Sequence, residues 1–171
     1  MNRDTLPEDY TLGLALFDAV PVLLFGLASR LLSRMTGSAL VMLGGVICFV
    51  SGMLKVVWKL LVVLRRKNVW PLFVQMRIGM PAGFAVMLAG VAAGLVKKDR
   101  RERAAIGKAV LRPAPLTFLM LSAAGIAAMI VCGKKLDPAK AKANWIEQGC
   151  NTAAQGSFLA AMVLAARGMK E

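Results

Sequence analysis

The sequence predicts an all-α fold, a polytopic integral membrane helical bundle of about five transmembrane helices forming a single transmembrane domain over 1-171. Three observations predict it. The apolar set makes up 58% of the chain and the mean hydropathy is +0.64, an excess that a domain of 171 residues cannot bury in water. Charged residues amount to only 18% and gather in blocks between apolar runs. Those runs repeatedly approach the roughly 20 residues that a helix needs to cross hydrocarbon.

The first ten residues, MNRDTLPEDY, carry three acids. They lack the cationic start and small-residue cleavage site of a secretory signal, so the first apolar run is expected to be a retained span. It covers approximately 10-30, holds Asp18 and Pro21, and is closed by Arg30 and Arg34. A second span over 37-64 starts after Thr36-Gly37 and ends at Arg65-Arg66-Lys67. A third, 71-96, opens with Pro71, a residue suited to a first helical turn. Pro81, close to Gly79 and Gly83, marks the expected kink.

Residues 97-113 form the most basic stretch and read as a loop. A fourth span covers 115-133. Asp137-Pro138 reads as a cap and first turn for the fifth helix, whose apolar part covers 144-166. This is the span least free of polar side chains, and a surface-lying helix is the alternative. Glycines on the second and third spans (Gly44, Gly45, Gly52, Gly83, Gly90, Gly94) suit close helix packing within the bundle.

The net charge of +13 would suit nucleic acid if read alone. Here the cations flank apolar runs, so the expected partners are membrane lipids, with anionic headgroups at Lys97, Lys98, Arg100, Arg101 and Arg103, and no nucleic acid. A membrane protein partner or a second copy of the chain is also compatible with the basic rim. The same cations place the 97-113 loop in the cytoplasm of a cell-membrane protein, with the N-terminus outside and the C-terminus inside. Arg65, Arg66, Lys67, Lys134, Lys135, Lys140 and Lys142 run against that rule.

No histidine occurs, and Cys48, Cys132 and Cys150 stand far apart without a CxxC pair, so no metal or other cofactor is expected. No Walker A, HExxH or GxSxG motif is present either, and no enzymatic activity is expected.

The chemistry-bearing residues are those that lipid does not tolerate. Asp18, Lys55, Gln75, Arg77, Glu147, Asn151 and Gln155 are the candidate ligand-binding residues. Counting from the span ends at 1.5 Å per residue puts all of them in the same half of the bilayer. Glu147, Asn151 and Gln155 step by four along one helix face, as do Lys55 and Lys59. One reading is a polar pocket open to one side, binding or transporting an anionic or amphiphilic small molecule, with Lys55 and Arg77 as its cations. Another is an accessory or scaffold subunit in which Asp18, Glu147, Lys55 and Arg77 neutralise one another. In a third, Lys55 and Lys59 reach up to the headgroups.

Overall fold

Helix formation follows the apolar runs, and every interruption has a local chemical cause. A computed structural model describes residues 6, 7, 9–137 and 139–169. The first run folds as α1 (Leu12–Phe17) and α2 (Ala19–Thr36), separated at Asp18. Thr11 caps α1, its hydroxyl accepting the Leu14 amide at 3.2 Å. Pro21 explains the break, since its missing N–H leaves the Phe17 carbonyl without an i+4 donor. Gly37, at φ 65°, closes α2 in the left-handed conformation that glycine adopts without strain.

The second run is the unbroken α3 (Ala39–Arg65). The third divides at Gln75 into α4 (Trp70–Val74) and α5 (Met76–Lys97). Pro81, where the sequence puts a kink, lies inside the continuous α5, and the division falls six residues earlier. There the Gln75 side-chain amide donates to Ser51 O on α3 at 2.9 Å and to Leu72 O at 3.2 Å.

The 97-113 stretch is not a plain loop, for it contains α6 (Arg100–Val110). Asp99 caps it, Oδ1 accepting the Glu102 amide at 2.7 Å, and the D-x-x-E spacing is that of a capping box. The last two rods are α7 (Pro113–Lys135) and α8 (Ala141–Gly168). The cap expected at Asp137 serves a turn before α8, with Oδ1 accepting the Ala139 amide at 2.9 Å, and Lys140 holds the N-cap position. Pro138 lies outside the described residues.

Four helical stretches are long and apolar enough to cross a membrane: Leu12–Thr36, Ala39–Arg65, Trp70–Lys97 and Pro113–Lys135. The protein is therefore an all-α membrane bundle. The fifth rod, α8, falls short on hydropathy because of its amides, yet it runs the depth of the bundle beside α1 and α2. At one end its Asn144 meets Tyr10, in the middle Phe158 stacks on Phe25, and at the far end Ala161, Met162 and Ala165 pack with Ala28 and Met35. Surface-lying geometry does not describe it. Packed helices screen its polar face from hydrocarbon, so its own composition need not do so.

The rods pack in the order α7, α8, α1–α2, α3, α4–α5. Close glycine contacts set the α3–α5 seam. A Cβ on Gly44 would stand 2.5 Å from the Gly83 carbonyl, and one on Gly90 would stand 2.6 Å from the Val41 amide. These glycines serve internal packing, as the sequence suggested.

Candidate functional site

Around Asp18 the polar side chains form a cluster at the Tyr10 end of the bundle. Asp18 sits where the α1–α2 break turns its carboxylate inward, and it is 3% exposed. Its Oδ2 lies 3.1 Å from Nζ of Lys59, which is 0% exposed. Neither atom has a hydrogen-bond partner among the described residues, so each buried charge depends on the other for compensation. The Lys59 ammonium also lies 5.6 Å from the centre of the Tyr10 ring.

Above the pair, the Tyr10 hydroxyl accepts from Asn144 Nδ2 at 2.7 Å, and Trp58 Nε1 donates to Asn68 Oδ1 at 2.9 Å. Burial, and next the Asp18 carboxylate, push the Tyr10 phenol well above its ordinary value, against the opposing effect of the Asn144 hydrogen bond. Tyr10, Leu14, Trp58 and Val62 close this end with an apolar plug.

The structure brings only some of the sequence candidates together. Asp18 pairs with Lys59, the residue that the sequence offered as a headgroup seeker, while Lys55 is half-buried one turn away. Arg77 is exposed on α5, its guanidinium 5.9 Å from the Phe73 ring. Gln75 is tied to Ser51. Glu147 is half-buried, at the edge of the inward face of α8.

That inward face is set by Asn144, Gln148, Asn151 and Gln155, spaced 4, 3 and 4, the heptad rhythm that stays on one seam. Asn144 and Gln148 are 4% and 2% exposed, whereas the sequence reading put Glu147 on the stripe with Asn151 and Gln155. The 4-3-4 spacing was the available signal. Gln155 Nε2 donates to Asn151 Oδ1 at 3.3 Å, and Asn151 Nδ2 reaches Gln148 Oε1 at 3.5 Å, making a short ladder of amides.

The ladder leads to two cavities. One of about 40 Å³ is bounded by Pro21, Cys48, Gly52, Met80, Asn151 and Gln155, room for little more than a water. The other, about 250 Å³, lies between α5 and α7 over a floor of α2 and α8. Phe25, Phe84, Met87, Leu88, Ile126 and Phe158 make its walls apolar, and Gln155 and Ser122 bring the polar side chains. Phe84 and Leu88 are 38% and 71% exposed, so the mouth faces the lipid side. Sequence reading missed this groove, because its lining residues look like ordinary span residues and meet only through the order in which the rods pack.

Among the described residues no cluster of three or more potential metal ligands occurs. Comparisons with known protein families, with curated proteins and with solved structures gave no match.

Proposed function

We propose that this protein binds an amphiphilic small molecule drawn from the bilayer, its apolar part in the α5–α7 groove and its polar group against Gln155 and Ser122. The observation that carries this reading is the 250 Å³ groove, apolar on every wall except for one amide and one hydroxyl. Such a lining matches a chain with a single hydrogen-bonding group. Gln155 gives its N–H to Asn151, which leaves its carbonyl oxygen to accept. An uncharged polar group is favoured over an anion, since Lys59 is committed to Asp18 and Arg77 is exposed. The role is binding or carriage, without a reaction of its own.

The test is a titration of detergent-purified protein with a fluorescent long-chain alcohol. Saturable binding is expected, abolished by Ile126→Trp and weakened about five-fold by Gln155→Leu, the scale of one lost hydrogen bond. Non-saturable partitioning, or indifference to both substitutions, would sink the reading.

A second reading, an accessory subunit held together by its internal polar bonds, is favoured by α7. It packs on α8 by one face and has few buried residues, which leaves its outer face free for another membrane protein. Recovery of a stoichiometric partner together with absent ligand binding would favour it. In either case the proposed setting is the cell membrane, with the α6 end in the cytoplasm and the N-terminus outside.

A further inference from the structure

A second large cavity, about 440 Å³, lies beneath α6 at the end of the bundle opposite Tyr10. Leu32 and Met35 of α2, Leu95 of α5 and Met162 of α8 wall it. From α6 come Arg103, Ile106, Gly107 and Val110, which share a helix face by their i, i+3, i+4 and i+7 spacing. Arg103 is the charged side chain at this largely apolar chamber, where Thr36 also lines the wall with its hydroxyl donating to Leu32 O at 2.8 Å.

Three features make the chamber more than a packing gap. Arg103 has no carboxylate within ion-pair distance among the described residues, and Glu102 is engaged with Lys98 at 3.4 Å. A Cβ added to Gly107 would meet nothing within 4 Å, so no side chain fills that stretch of wall. And α6, with Ile106 and Ala109 buried and Arg100, Arg101 and Lys108 exposed, has the amphipathic form of a helix lying in the membrane interface.

A cation at the mouth of an apolar chamber, at interface depth, is complementary to an anionic head joined to an acyl chain. We infer that this chamber is a discrete site for one anionic glycerophospholipid, its phosphate on Arg103 and one acyl chain between α2, α5 and α6. A zwitterionic lipid also carries a phosphate, but its ammonium would face the remaining cations of α6. The site goes beyond the amphiphile groove: it is recognised by charge, built largely on another helix, and shares only Leu32 and Val91 with that groove.

The test is native mass spectrometry of the purified full chain after equilibration in micelles holding equimolar phosphatidylglycerol and phosphatidylcholine of matched chains. The wild type is expected to retain one phosphatidylglycerol in preference to phosphatidylcholine. Arg103→Ala should lower that preference about five-fold, the weight of one interfacial cation. Gly107→Phe, which fills the chamber, should remove the retained lipid. Arg101→Ala, on the far side of α6, and Ile126→Trp, in the other groove, should leave retention unchanged. Equal retention of the two lipids by the wild type would overturn the proposal. So would an Arg101→Ala loss equal to that of Arg103→Ala, which marks a diffuse basic belt, or loss of the lipid in Ile126→Trp, which places it in the groove.

Discussion

Asp18 Oδ2 and Lys59 Nζ meet at 3.1 Å in an interior that leaves the two residues 3% and 0% exposed. Two helices that are adjacent in sequence are thereby pinned at one depth and one rotation. The pair organises the polar half of the bundle, and it takes out of play the acid that the sequence offered as a ligand group.

Removing one partner strands the other charge. Asp18→Leu or Lys59→Met is expected to destabilise the protein by about 3–5 kcal/mol, whereas the double replacement Asp18→Leu/Lys59→Met costs far less than the sum of the two. Denaturant unfolding in detergent, run as a double-mutant cycle, measures the coupling. Additive effects of the two single variants would mean that the pair does not form.

Much of this was legible in the sequence. The apolar runs gave the rods, and the span counts put the polar groups in one half. Which lysine meets Asp18 was not legible, because Lys55 and Lys59 share a helix face one turn apart, and only the height of α3 against α1–α2 chooses between them. Helix α6 could have been read from Asp99 and Glu102, whose capping-box spacing was masked by the surrounding charge. The α5–α7 groove could not, since it arises from the packing order of the rods.

The α3–α5 seam predicts a second asymmetry. Gly44→Val drives a side chain into the Gly83 backbone and should cost about 1–3 kcal/mol or more. Gly133→Ala, whose Cβ would meet nothing within 4 Å, should be tolerated. Melting temperatures in one detergent compare them directly.

Alkaline stability should depend on Tyr10. Its phenol ionises near 10.0 when unfolded and at higher pH in the folded protein, where burial and Asp18 oppose the charge. The folded state therefore binds the proton more tightly. That contribution is fully present below the unfolded value and is lost as pH rises above it. Tyr10→Phe should cost about 1 kcal/mol at neutral pH through the lost Asn144 hydrogen bond, and should flatten the decline above about pH 10. An unchanged alkaline limb would show that Tyr10 is not the group responsible.

Five rods through the bundle put Tyr10 and Gly168 at opposite ends. Single cysteines at Arg66 and Arg101, in a background with Cys48, Cys132 and Cys150 replaced, should react with an impermeant thiol reagent from opposite sides of sealed vesicles. The Arg101 position is expected on the cytoplasmic side.

The central claim, an amphiphile site between α5 and α7, is tested most directly by photolabelling purified protein with a long-chain alcohol carrying a terminal diazirine, followed by peptide mapping. The account predicts labels on the groove walls, at Phe84, Leu88, Ile126 and Phe158, competed away by unlabelled alcohol. Labels spread evenly over the exposed faces of α5 and α7, with no competition, would contradict it.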